Sequence, residues 1–178
     1  LHLSLRRQRQ MCIRDRSLGT SFERADFFNT RAMVVYIRPG TLYYTACPSQ
    51  ECNKKVLMDD DGNWRCEKCD RSYPAPVRRY IFSANVADYT GQIWVSGFNE
   101  VGETLLGITA DELDVIQNES EAVLSRAIGR VIDIGCRAKQ ETFNDSSRVR
   151  YTMTRLQPVD FKKAGHELVN KIHALQAN

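Results

Sequence analysis

The stretch ACPSQECNKKVLMDDDGNWRCEKC, residues 46–69, holds four cysteines in the pattern C-x4-C-x13-C-x2-C. Cys47 and Cys52 form one close pair, Cys66 and Cys69 the other. Tetrahedral zinc takes four thiolates, and two short Cys pairs at the ends of a hairpin supply them with little chain strain. Pro48 and the run Asp59–Asp60–Asp61–Gly62–Asn63 provide the turns. Two disulfides of a secreted protein are the competing reading, but x2 and x4 spacings suit chelation and nothing else in the chain has a secretory signature. A catalytic zinc keeps an open position and usually takes His or carboxylate ligands, whereas His166 and His173 fall far away in a helical pattern. The reading is one structural zinc ion in a ribbon covering about residues 44–73.

Strand patterns flank the ribbon. AMVVYI (32–37), the turn Pro39–Gly40 and LYYTA (42–46) lead into it, and Tyr73, Pro74 and Pro76 mark the exit. RRYIFSANVAD (78–88) sets Tyr80, Phe82, Ala84 and Val86 against Arg79, Ile81, Ser83 and Asn85. QIWVSGF (92–98) follows the turn Thr90–Gly91, with Ile93, Val95 and Gly97 on one face and Trp94, Ser96 and Phe98 on the other. Helical signals begin at Thr109, which forms a capping-box pattern with Glu112; Asn118 with Glu121 opens a second helix carrying Val123, Leu124 and Ile128. VIDIGCRAKQETF (131–143) and RVRYTMTRL (148–156) are two more strands across the turn NDSS (144–147). VDFKKAGHELVNKIHALQ (159–176) repeats apolar residues at helical spacing. The order predicts a mainly β domain with helices: a five-stranded Greek-key barrel whose first connection holds the ribbon, followed by a C-terminal helix.

The chain of 178 residues has a net charge of +3, but the charge is uneven. Residues 1–31 carry seven Arg against three acids, leaving 18 basic and 19 acidic groups in the remainder. A near-neutral body cannot bind nucleic acid through overall charge; it needs local clusters and base contacts. No apolar run reaches the roughly 18 residues of a membrane span. Residues 1–24 are read as a disordered segment or sequence foreign to the domain, with a basic nucleic-acid-binding arm as the alternative. Residues 25–158 form the binding domain and residues 159–178 the C-terminal helix. Cys12 and Cys136 stand outside the ribbon; Cys136 reads as a small buried thiol. Free thiols beside a zinc site fit a reducing compartment.

Trp94 and Phe98 project from one strand face roughly 13 Å apart. Phe143 shares a face with Arg137, Lys139 and Glu141, while Arg148 and Arg150 share a solvent-facing side. Lys54 and Lys55 adjoin the second cysteine. Aromatics interleaved with Arg and Lys on an exposed sheet are what single-stranded nucleic acid requires, because every base offers a π-face and every phosphate a charge. A core role for the aromatics is the alternative, but Ile93 and Val95 already supply a core face. No phosphate loop, nucleophile elbow or carboxylate cluster points to an enzyme.

VVYIRPGTLYYTACPSQECNKKV (34–56), WRCEKCD (64–70), SANVADYTGQIWVSGFNE (83–100), QETFNDSSR (140–148) and QPVDF (157–161) together resemble the C-terminal DNA-binding domain of the replication protein A large subunit, a eukaryotic single-stranded DNA-binding protein. The resemblance covers about residues 25–176. It implies an oligonucleotide-binding (OB-fold) barrel with the zinc ribbon inserted after its first strand. Cys47, Cys52, Cys66 and Cys69 are then the ligands, and Trp94, Phe98 and Phe143 the base-stacking residues, Phe143 standing where relatives commonly carry Tyr. It also implies a nuclear protein of DNA replication, repair and recombination. Its terminal helix, through Phe161, Leu168, Ile172 and Leu175, would join the middle and small subunits in a heterotrimer, and the chain would be a C-terminal fragment. A mainly assembling module with weak DNA binding, and an RNA-binding or transcription-type zinc ribbon, are the other readings.

Overall fold

The structure is a computed structural model that describes Ile13 and residues 24–116, 120–143 and 146–176. The readings of Cys12, of Asn118 and of nearly all of the first 23 residues fall outside the described residues, as does the side chain of Phe143.

Nine strands and four helices follow one another in the described chain. β1 (Asp26–Ile37) begins earlier than the apolar run AMVVYI, because Phe27–Arg31 pairs with a later strand and buries Phe28 in the core. β2 (Tyr43–Ala46) leads into β3 (Leu57–Met58), β4 (Trp64–Cys66) and β5 (Arg71–Tyr73), the small three-stranded sheet of the ribbon. The chain leaves through β6 (Val77–Ala87) and β7 (Gln92–Phe98), then α1 (Asn99–Leu106), α2 (Ala110–Val115) and α3 (Ser120–Ala127). β8 (Val131–Phe143) and β9 (Ser146–Pro158) form a long hairpin, and α4 (Phe161–Gln176) ends the fold.

Five long strands carry the large sheet. β1 pairs β8, β8 pairs β9, β9 pairs β7 in parallel, β7 pairs β6, and β6 pairs β1 again. β2 continues the line of β1 along β6, so the ribbon grows from the sheet at the end of its first strand line. The inward positions build one core from Phe28, Val34, Tyr80, Phe82, Val86, Val95, Ile132 and Ile134. Gly97 faces Phe82 so closely that a Cβ would collide with its ring, and a Cβ on Gly102 would stand 2.5 Å from the Tyr80 ring. The buried Tyr80 hydroxyl donates to the carbonyls of Ile108 and Thr109 at 3.1 and 3.0 Å, and burial pushes its pKa up to about 12.

α1 is a helix that the sequence reading did not identify. It forms because Val101 and Leu105, one turn apart, enter the core while Gly102 lets the helix settle against Tyr80. α2 starts at the predicted capping box: the Glu112 N–H donates to the Thr109 hydroxyl at 3.2 Å, and the Thr109 N–H donates to the Glu112 carboxylate at 2.7 Å. α3 begins at Ser120 and buries Val123 and Ala127.

Cys136 lies in the core, where burial pushes its thiol up to about 12. Ile13 is also buried there, its N–H donating to Asp88 at 2.9 Å. α4 differs from the other helices in burying none of its residues; Phe161, Leu168, Val169, Ile172 and Leu175 remain exposed. Among the described residues no helix is long and apolar enough to cross a membrane.

Candidate metal centre and nucleic-acid interface

The ribbon brings the four cysteines together. The Cys47 N–H donates to the Lys54 carbonyl and the Cys52 N–H to the Ser49 carbonyl, turning the first pair inward; Cys66 ends β4 and Cys69 follows in a tight turn. All four Sγ atoms lie within 4.8 Å of one another, with Cys47–Cys69 at 3.9 Å and Cys52–Cys66 at 3.7 Å. A tetrahedron with metal–sulfur bonds of about 2.3 Å has edges of about 3.8 Å, whereas a disulfide needs about 2.05 Å. The cluster therefore has the dimensions of a metal cage. The Cys69 backbone N–H draws the Cys66 thiol down to about 7, while hydrogen bonding to Cys52 pushes Cys69 up to about 12. Adjacent thiolates repel, so ionising all four calls for a cation at the centre. Val56 completes this small core, with Trp64 and Tyr73 packed against it.

A second arrangement occupies the outer side of the large sheet. Along β7, Val95 and Gly97 are buried, while Trp94 and Phe98 are 45% and 40% exposed, as the alternation predicts. Residues opposite one another in a ladder share a face. The pairings Ser96↔Thr152, Arg137↔Thr152, Lys139↔Arg150 and Glu141↔Arg148 put Arg137, Lys139, Arg148 and Arg150 on the same outer side as Trp94 and Phe98. The backbone of Phe143 pairs with Ser146 at the end of that hairpin. Arg150 contacts Glu141 at 3.6 Å, so part of its charge is compensated locally.

Not every predicted residue joins this face. Lys54 and Lys55 are exposed on the ribbon, and Lys55 lines a groove there with Leu57, Met58 and Arg65. Phe161, Leu168, Ile172 and Leu175 belong to α4, which borders a cleft of about 610 Å³ with Arg31, Asp133 and Arg155.

Three residues of the outer face escaped the sequence reading. A bulge in β1 between Val34 and Tyr36 re-aims the strand, so that Val34 is buried and Tyr36 turns outward. Tyr36 meets Trp94 edge-on, 6.1 Å between centroids at 87°, and the Arg38 guanidinium sits 4.9 Å above the Trp94 ring. Arg79, opposite Tyr44, joins Phe98, Tyr44 and Asn53 around a cavity of about 190 Å³. The motif YIR (36–38) was the available signal, but plain alternation assigns Tyr36 to the face of Val34.

Sheet, ribbon and aromatic face together define a mainly β domain with a four-cysteine cluster that could hold a metal ion and an exposed aromatic and basic face. Residues 27–168 match the family model described as the Replication factor-A C terminal domain, and the chain belongs to that family. It is 40% identical over 163 residues to Replication factor A protein 1 of Schizosaccharomyces pombe, covering 89% of this chain and 26% of that protein. It is also 40% identical over 154 residues to the Replication protein A 70 kDa DNA-binding subunit of Mus musculus, covering 84% and 25%. The chain thus spans about a quarter of the length of these relatives. Among solved structures, a replication protein A heterotrimer bound to ssDNA matches at TM-score 0.79 and 57% identity, over 89% of this chain and 37% of that one. Yeast RPA bound to ssDNA matches at TM-score 0.78 and 33% identity, over 90% and 92%.

Proposed function

We propose that this domain binds single-stranded DNA as part of a replication protein A large subunit, serving DNA replication, repair and recombination in the nucleus. The observation that carries the reading is the outer face of β7: Trp94 and Phe98 stand in solvent on the side that holds Arg137, Lys139, Arg148 and Arg150, while the core is filled by the alternate residues. Bases stack on Trp94, Phe98 and Phe143, and the basic residues, with Lys54 and Lys55 from the ribbon, neutralise phosphates. The circuit of pairings from β1 through β8, β9, β7 and β6 is the five-stranded OB-fold barrel of this reading. Cys47, Cys52, Cys66 and Cys69 hold one structural zinc ion, whose binding free energy folds the ribbon and takes no part in a reaction. An anisotropy titration with oligo-dT at two salt concentrations, repeated with RNA, tests the proposal. Saturable binding to oligo-dT is expected, with stacking supplying part of the affinity and a log–log salt slope no steeper than about −4, the value for about six neutralised phosphates on a single strand. No binding, or preference for RNA, refutes it.

The exposed stripe of α4 supports a compatible second role. Phe161, Leu168, Ile172 and Leu175 present an apolar face that the described chain leaves uncovered, which suits docking against helices of the middle and small subunits. Co-purification of the three subunits, lost when α4 is removed, is the corresponding test.

A further inference from the structure

Asn85 lies at the centre of the outer row, paired with Tyr36 on β1 and with Trp94 on β7. It is only 7% exposed, and its Oδ1 is enclosed without a hydrogen-bond partner. A buried acceptor left unpaired costs about 1–3 kcal/mol, which an apolar β-branched residue at the same strand position would avoid. Such an orphan calls for a partner, an ordered water or a bound ligand. Its surroundings favour the last: Tyr36 stands edge-on to Trp94, and the Arg38 guanidinium lies over the ring where a base would stack.

We propose that Asn85 reads the base stacked on Trp94, its Oδ1 accepting a hydrogen from the base's ring N–H or exocyclic amine, and that Arg38 covers this subsite in the free protein. This inference rests on the single-stranded DNA reading and adds a base-edge contact to it. A base is flat, like the guanidinium, and takes its place on the indole face; its edge then reaches the neighbouring cross-strand position, which is Asn85. The amide offers an acceptor at Oδ1 and donors at Nδ2, so it selects base edges that set a donor beside an acceptor. Thymine, through N3–H, satisfies it, while 3-methylthymine stacks equally but has lost the donor.

The test compares oligo-dT with the same oligomer of 3-methylthymidine, using the parent chain and Asn85→Val. The parent should prefer unmodified oligo-dT by roughly three- to tenfold, the worth of one neutral hydrogen bond. Asn85→Val should bind oligo-dT weaker by the same factor, lose the preference, and melt no lower than the parent because the orphan acceptor is gone. A parent without the preference overturns the inference and needs no variant. So does an Asn85→Val chain that keeps the preference. In each of these outcomes oligo-dT binding by the parent leaves the single-stranded DNA reading intact; a parent that binds no oligonucleotide overturns both. The cover is checked without DNA. Of the two tryptophans, Trp64 and Trp94, the first is replaced by Phe. Arg38→Ala should then raise acrylamide quenching of Trp94, and unchanged quenching refutes the cover.

Discussion

Replacing Trp94 and Phe98 together by alanine removes both aromatic platforms of β7 and should weaken oligo-dT binding by at least about fivefold. Stacking one base is worth about 1–3 kcal/mol by alanine substitution. Phe98 lines an open cavity and should deliver at least the lower figure. Trp94 delivers less at its lower limit, because stacking there first displaces Arg38 from 4.9 Å above the ring, a cation–π contact worth about 0.5–1 kcal/mol at an exposed site. The lower edge of the sum is about 1.0–1.5 kcal/mol, roughly five- to tenfold in Kd. The rings stand roughly 13 Å apart along the strand, beyond the range at which neighbours couple, so the single substitutions should add. Neither ring fills the core, and the fold loses chiefly the edge contact of Trp94 with Tyr36. The far-ultraviolet circular dichroism should stay native and Tm should fall by a few degrees. Anisotropy with labelled oligo-dT, read beside the melting curve, separates the outcomes. Parental affinity in the double variant would mean that the rings are idle, and affinity lost together with the fold would mean that they are core.

The remaining predictions concern the frame around that face. Chelation, or Cys66→Ser, should release one zinc per chain, red-shift Trp64 emission in a Trp94→Phe background and weaken DNA binding, while the large sheet stays folded on its separate core; unchanged DNA affinity in metal-free protein would remove the coupling. Asp88 accepts hydrogen bonds from Thr90, Ile13 and Gly91 that outweigh the effect of burial and hold its carboxyl below the usual range. Its stabilisation is thus present above the unfolded carboxyl pKa of about 4 and disappears as pH falls through the lower folded value. Asp88→Ala should cost about 1–3 kcal/mol in urea melts at pH 7 and almost nothing at the acid end, and a pH-independent difference would contradict the assignment. Gly102→Ala places a Cβ against the Tyr80 ring and should cost about 1–3 kcal/mol by overpacking; an unchanged Tm would show that the ring yields freely. Truncation after Val159 removes a helix with no buried residue, so Tm and oligo-dT affinity should stay close to those of the parent while partner-subunit binding is lost.

Strict alternation makes the strands legible: Ile93, Val95 and Gly97 against Trp94, Ser96 and Phe98 give β7 its bounds and its faces, and 131–143 is read to the residue as β8. The cysteine spacing makes the four-cysteine cluster legible because two short pairs at the ends of a hairpin dictate it locally. α1 is not legible, since NEVGETLL holds a glycine in its middle and its apolar pair acquires meaning only where Tyr80 waits across the core. Tyr36 is hidden for a similar reason. A single-residue bulge inverts the faces that follow it, and nothing local in VVYI announces one. The orphan acceptor of Asn85 is a property of three strands at once. What each strand presents can be read from its own residues, but which presentations meet depends on register.

Register also ties the four-cysteine cluster to the outer face of the large sheet. The ribbon leaves the sheet at β2, where Tyr44 stands opposite Arg79, and the Tyr44 hydroxyl donates to the Asn53 carbonyl between the second cysteine and Lys54. Tyr44, Asn53 and Arg79 are the same residues that wall the cavity beside Phe98. One wall of the Phe98 platform is therefore made of ribbon. The hydrogen bonds Cys47 N–H to Lys54 and Val56 N–H to Thr45 tie that wall to the cysteine cage within a few residues. If the cage opens, Asn53 loses its position while Trp94, held among β1, β6 and β7, keeps its own. Metal loss should then act on the Phe98 end of the surface and leave the Asn85–Trp94 end in place, which makes the ribbon a local brace of one part of the binding face.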